Sequence, residues 1–260
     1  MSEEVNARAA LAGKRIVVTR ARHQAAGWAA VIREFGAAPV AYPCLAIAPP
    51  TNDAEFERCL RELSDYDWLA LSSGNVVRAV AERARALTVL AQLRQMKIAA
   101  LGPSTASEVE RQIGKAADFV PAAFSAGGLA RELPIGKGSR ILLPQSDLAD
   151  DKTANIMRSR GALVAAPVAY RTVIGSGGAD LPAMIAASAI DALTFASPSA
   201  VRFFRQRCRA PAALDLPALC LGEATASAAA NAGFRCLITS PEFGLRALMT
   251  AFASCCPRRD

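Results

Sequence analysis

Short apolar runs rich in valine, isoleucine and leucine alternate along the chain with longer segments whose apolar residues recur at helical spacing. Apolar runs separated by helix-sized stretches predict strands of a parallel sheet covered by helices, because such strands are buried on both faces. The expected strands are Ile16 to Thr19, Trp68 to Leu71, Ile98 to Leu101, Ile141 to Leu143, Ala192 to Phe195, Leu219 to Leu221 and Cys236 to Ile238. The fold class read from this pattern is α/β.

The pattern also repeats. RIVVT from Arg15, a helix and GAAPVAYP are echoed by RILLP from Arg140, a helix and GALVAAPVAYR, with AAPVAY identical in both. DWLALSSGNVVRAV from Asp67 is echoed by DALTFASPSAVRFF from Asp191, and LGPSTASEVERQIG from Leu101 by LGEATASAAANAG from Leu221. The order is short unit, long unit, short unit, long unit. Two similar domains follow, formed either by neighbours in tandem or by the first and last units enclosing the middle two; repetition alone does not choose. Pro39, Pro43 and Pro167 lack the N–H that a central strand needs, so the AAPVAY segments read as edge or connecting strands. As connectors they take the chain out of the first domain near Pro39 and return it near Thr172. Otherwise each is an edge strand of its own domain, with Tyr42 the counterpart of Tyr170.

A length of 260 residues suffices to bury a core without staples. The seven cysteines form no CxxC pair, and His23 is the only histidine, which argues against zinc sites and histidine-centred triads, so no metal is expected. An odd, scattered cysteine set fits reduced thiols in a cytoplasmic protein. Glu3 and Glu4 stand where a secretory signal is basic, and the longest apolar stretch, Ala162 to Tyr170, is about half a membrane-spanning helix, so neither export nor a membrane is expected. The net charge of +7, carried mostly by arginine, suits an anionic partner. Nucleic acid is not expected: Arg205, Arg207 and Arg209 lack interleaved aromatics and read as a solvated helix end.

Candidate chemistry gathers at strand ends, where open α/β sheets bind ligands. Ser72, Ser73 and Asn75 follow one strand, and Ser197 and Ser199 follow its counterpart. Gly102, Ser104 and Thr105 are matched by Gly222, Glu223 and Thr225. Hydroxyls there cap the following helices, whose first N–H groups attract anions. Taken singly they are ordinary caps; duplicated, they point to a ligand in a cleft between two domains. Arg20 follows the first strand, and Tyr170 ends the second AAPVAY run as a phenolic proton donor. His23 reads as a surface or capping residue, Tyr42 as packing, and Cys255 and Cys256 as a tail without a role. No GxxxxGK[ST], GxGxxG or GxSxG motif occurs, which argues against a nucleotide cofactor.

Taken in order, Thr19-Arg20, Asp67-Trp68 leading to Ser73-Gly74-Asn75-Val76-Val77, Gly102 to Ala106, the strand Val168 to Thr172, Ser197-Pro198-Ser199-Ala200-Val201 and Gly222 to Ala226 resemble the uroporphyrinogen-III synthase family. The match runs from about Lys14 to Leu248. The resemblance implies two flavodoxin-like or Rossmann-like domains with parallel sheets: 1–38 with 173–260, and 46–163, joined by connecting strands 39–45 and 164–172. It implies closure of linear hydroxymethylbilane to uroporphyrinogen III in haem biosynthesis, with loss of water and inversion of ring D, without cofactor or metal. Tyr170 would assist hydroxide departure, and Arg20, Ser73, Asn75, Thr105, Ser197, Ser199 and Thr225 would hold the substrate's carboxylates. A monomer is expected, with hydroxymethylbilane synthase as supplier of the substrate. Three departures stand out: Ala21 where proline is usual, Gln145-Ser146 where Arg-Gly is frequent, and Glu223 beside a proposed carboxylate site. The alternative is a two-domain hinged protein that binds a polyanion without turnover.

Overall fold

The structure, a computed structural model, describes residues 3–240, 242 and 244–255. Cys256 lies outside the described residues. From the N-terminus run α1 (Glu3–Leu11), β1 (Arg15–Val18), α2 (Arg22–Glu34), β2 (Ala38–Ala41), β3 (Leu45–Ala48), α3 (Ala54–Arg61), β4 (Trp68–Leu71), α4 (Gly74–Ala86), α5 (Leu90–Gln95), β5 (Lys97–Ala100), α6 (Pro103–Ile113), α7 (Ala126–Glu132), β6 (Arg140–Leu142), β7 (Gln145–Ser146) and α8 (Lys152–Ser159). Then follow β8 (Leu163–Ala165), β9 (Val168–Ile174), α9 (Leu181–Ala186), β10 (Ala192–Phe195), α10 (Pro198–Arg207), β11 (Ala218–Cys220), α11 (Glu223–Asn231), β12 (Leu237–Ile238) and α12 (Leu245–Cys255).

The chain divides into two compact units, one from Met1–Ala46 and Val173–Asp260, the other from Ile47–Thr172. Unit 1 holds a parallel sheet in the order β12-β11-β10-β1-β2. Unit 2 holds a parallel sheet in the order β5-β4-β6-β8, and a parallel bridge between Ala99 and Phe119 extends it beyond β5. The α/β class with parallel sheets is thus observed. Position for position the two sheets have the same order, but their elements enter the chain differently. Unit 1 opens with the short β-α-β repeat and closes with the long one, whereas unit 2 runs long then short. Each is a circular permutation of the other.

The strands form where the apolar runs are because both faces of each sheet are covered. Ile16, Val18, Ala192 and Leu219 point into one core of unit 1, and Val17, Leu193, Phe195, Ala218 and Cys220 into the other. In unit 2, Leu69, Leu71, Ile98, Ala100 and Leu142 face one core, while Trp68, Ala70, Ala99, Ile141 and Leu143 face the second. Successive side chains alternate between faces, as the period of two requires.

The AAPVAY segments follow neither of the two sequence readings throughout. Residues 39–45 and 164–172 were expected as connecting strands, yet Ala38–Ala41 pairs in parallel with β1 as the edge of unit 1's sheet. Pro39 is accommodated there because an edge strand leaves one side of its ladder unpaired. In the second copy the chain breaks at Pro167: Leu163–Ala165 forms the matching edge strand β8, and Val168–Ile174 joins a separate sheet in the order β3-β9-β7. The true register follows the glycines. Gly36 and Gly161 both take positive φ, at 78° and 88°, two residues before β2 and β8. The identical letters are therefore out of structural register, and Tyr42 and Tyr170 are not equivalent.

Candidate functional site

In unit 1 the chain winds outward from β1 to β2 on one side and from β10 to β12 on the other. In unit 2 it winds from β4 to β5 and from β6 to β8. The β1/β10 and β4/β6 boundaries are topological switch points, where ligands of open α/β sheets bind outside the carboxyl ends of the strands.

At the switch point of unit 1, Thr19 is wholly buried and its Oγ1 donates to the Thr194 carbonyl at 2.5 Å, while Thr194 Oγ1 donates to the Val17 carbonyl at 2.7 Å. These bonds tie the ends of β1 and β10 together. Ser197 caps α10, its Oγ accepting from Ala200 N at 3.3 Å and lying 2.9 Å from Ser199 Oγ. In unit 2, Ser73 caps α4 in the same way, accepting from Val76 N at 3.3 Å. Both serines are caps, as the simpler reading held. A hydroxyl that accepts in the cap still has its O–H to donate.

Thr105 and Thr225 occupy the third positions of α6 and α11 and are buried, with their backbone N–H groups bonded to the carbonyls of Gly102 and Gly222. The structure thus groups Thr105 with Ser73 and Asn75 at neighbouring strand ends of unit 2, and Thr225 with Ser197 and Ser199 at those of unit 1. Asn75 is half-buried in the first turn of α4. Pro103 and Pro198 in the first turns of α6 and α10 have no N–H to leave unpaired, so they begin those helices without cost.

Arg20 turns back along its own helix. Its Nε and Nη2 donate to Gln24 Oε1 at 3.3 and 3.1 Å, and its guanidinium carbon lies 5.0 Å from the Trp28 ring centroid. Tyr170, in β9, is 8% exposed and belongs to the core of unit 2 that includes Phe56, Leu71 and Val77. His23 is exposed in the first turn of α2. Glu223, exposed at the first position of α11, supplies its own negative charge to that helix start. Gln145 and Ser146 form β7, which pairs with β9. Among the described residues no group of three His, Cys, Asp or Glu is arranged to hold a metal ion.

Two features beside these strand ends are invisible in the sequence pattern. Arg78 on α4 donates to Glu108 on α6 at 2.7 Å, fixing the two helix starts of unit 2 side by side. Burial alone would raise the Glu108 carboxyl, but hydrogen bonds from Arg111, Arg78 and Gln112 hold it below the usual carboxylate range. Phe124 lies over Gly102, where an added Cβ would sit 3.4 Å from the phenylalanine Cβ. Neither is signalled by a motif, because both depend on which helices and loops become neighbours.

The family model described as uroporphyrinogen-III synthase HemD matches residues 26–250. A uroporphyrinogen-III synthase of Synechococcus elongatus is 32% identical over 230 residues, covering 87% of this chain and 86% of that protein. The porphyrin biosynthesis protein HemD of Ruminiclostridium josui is 28% identical over 233 residues, 88% of this chain and 46% of that longer protein. Among solved structures, uroporphyrinogen-III synthetase from Helicobacter pylori superposes with a TM-score of 0.64 at 13% identity, covering 94% of this chain and 99% of that one. A mutant uroporphyrinogen III synthase from Thermus thermophilus gives 0.61 at 22% identity, covering 93% and 98%. At those identities the structures speak for the fold, and the sequence matches speak for descent. The strand-end hydroxyls, their duplication and the matched length agree: the chain belongs to the uroporphyrinogen-III synthase HemD family.

Proposed function

We infer that this chain is an enzyme that closes linear hydroxymethylbilane to uroporphyrinogen III, a lyase-type reaction of haem biosynthesis. The observation that carries the reading is the family match across most of the chain, together with hydroxyl-capped helix starts at the strand ends of each unit. The substrate's carboxylates suit such corners, where a capping hydroxyl and the first N–H groups of a helix accept an anion. Ser73, Asn75 and Thr105 in unit 2, and Ser197, Ser199 and Thr225 in unit 1, are the groups assigned to that contact. Arg20, which follows the first strand of unit 1, is assigned a further carboxylate.

Loss of the hydroxyl from the bilane is driven by the electron-rich pyrrole and yields an azafulvene cation that can close unaided to the unrotated isomer. The enzyme therefore acts mainly by geometry: ring D must attack through its substituted carbon, giving a spirocyclic intermediate that fragments and recloses. Tyr170 is assigned as the proton donor to the departing hydroxide, and the proton lost from the closing carbon balances the one supplied. No helix of the described residues is long and apolar enough to cross a membrane. A cytoplasmic monomer that receives its substrate from hydroxymethylbilane synthase fits the unpaired cysteines among the described residues.

The deciding experiment adds purified protein to hydroxymethylbilane freshly made by its synthase and resolves the oxidised products by isomer. Predominant type III is expected. Predominant type I with folded, ample protein overturns the enzymatic reading and leaves a polyanion-binding protein.

A further inference from the structure

Among the described residues Phe124 is the one aromatic side chain in the group of large exposed apolar residues, at 60%. A single exposed phenylalanine is unremarkable on a protein surface. Its mounting is not. The Glu132 carboxylate accepts from the backbone N–H groups of Ala122 and Ala123 at 2.6 and 3.2 Å, pinning the segment before it. Ser125, directly after it, caps α7 by accepting from Gly128 N at 3.0 Å. Gly128 is required there, because a Cβ would lie 2.0 Å from the Ala123 carbonyl oxygen. The loop is thus held on both sides of a side chain that buries little of itself. The phenyl group lies beside Gly102, where even an added Cβ would make only ordinary contact with it at 3.4 Å and beyond, and Gly102 is the cap residue that precedes α6 and leads to Ser104 and Thr105.

We propose that Phe124 is a substrate-contacting residue that packs against one pyrrole ring of the bound bilane while Ser104, exposed in the first turn of α6, donates to that ring's carboxylates. The inference rests on the enzymatic reading above. A pyrrole bearing acidic side chains is apolar across its face and anionic at its rim, and this corner offers an aromatic surface beside an exposed hydroxyl donor. The phenyl also offers its electron-rich face to an azafulvene cation, which water would otherwise stabilise less selectively. Because the loop is pinned before substrate arrives, little order remains to be imposed on binding.

The test compares wild type with Phe124→Ala, Phe124→Leu and Phe124→Trp, measuring kcat, KM and the type III to type I ratio with freshly generated hydroxymethylbilane. Expected for Phe124→Ala is a fall of about tenfold in kcat/KM with a larger share of type I. Phe124→Trp should stay within about threefold of wild type, and Phe124→Leu should fall between. A residue with only a structural role would move the melting temperature and leave the isomer ratio alone. Wild type that makes type III alongside an alanine variant with kcat/KM within twofold and the same ratio overturns this inference and leaves the function standing. Wild type that makes no type III overturns both. Should the alanine variant aggregate, Phe124→Leu carries the same comparison, with an unchanged ratio counting against.

Discussion

The Arg207 guanidinium stacks 3.8 Å from the ring centroid of Tyr42 and donates to the carbonyls of Pro43, at 2.5 Å, and Gly177. One side chain at the end of α10 thereby gathers the chain leaving unit 1 and the chain re-entering it. Read from sequence as part of a solvated helix end, Arg207 is a half-buried clasp. Replacing it with alanine removes two charge-assisted hydrogen bonds and a cation–π contact and should cost about 2–3 kcal/mol. Arg207→Lys should recover less than half, because lysine lacks the planar fork that reaches both carbonyls. Urea unfolding with an unchanged slope would measure this; a loss below about 0.5 kcal/mol would refute the clasp.

The capping serines permit a separation of stability from activity. Ser73→Ala and Ser197→Ala should each cost about 1 kcal/mol, the usual consequence of losing a cap. Ser197→Asp keeps a cap acceptor and favours the helix dipole, so stability should hold within about 0.5 kcal/mol. The added charge would repel a substrate carboxylate, and kcat/KM should fall at least about tenfold, equivalent to ~1.4 kcal/mol. An aspartate variant as active as wild type would remove Ser197 from substrate contact.

Glu108 supplies a pH test. Its carboxyl lies below the ordinary glutamate value of 4.5 in the folded protein. A depressed folded value means that the stabilisation is present above pH 4.5 and is lost as pH falls through the folded value. Glu108→Gln should therefore be destabilised by about 0.5–1 kcal/mol near neutrality and converge with wild type on acidification below that point. Parallel stability curves across the acid range would show that the Arg78 pair contributes nothing.

Tyr170→Phe should leave the fold intact, since the ring keeps its place in the core and only a hydroxyl is removed. Turnover should slow on the order of 100- to 10,000-fold if the phenol supplies the proton for hydroxide departure. Undiminished kcat with an unchanged isomer ratio would remove it from the mechanism.

The buried strands were legible because they are apolar at nearly every position, Thr194 being a polar exception. Trp68–Leu71 and Ala192–Phe195 were located to the residue. Where a strand begins on a charged residue, as at Arg15, Lys97 and Arg140, pairing starts one position earlier than the apolar run, because the backbone ladder does not depend on side-chain polarity. The glycine and serine turns were legible for a similar reason: a cap is a local interaction, encoded within four residues. The AAPVAY segments misled because partner choice is not local. Two identical stretches lie in different sheets when one is followed by a bend at Pro43 and the other is interrupted at Pro167. Arg207 was read as solvated, and Phe124 was not singled out, because what they touch, Gly177 and Gly102, is distant in sequence.

The central pairing of unit 1 joins Ile16 to Ala192, whereas the central pairing of unit 2 joins Trp68 to Ile141. During synthesis all strands of unit 2's sheet are available once Ala165 has emerged, while β1 must wait for a partner still to be translated. Non-local closure is slow, so a nascent chain should acquire protease resistance in its middle first. Until β10 arrives, the apolar flank of β1 is an unsatisfied edge, and it is there that a stalled or truncated chain would meet a chaperone or another copy of itself.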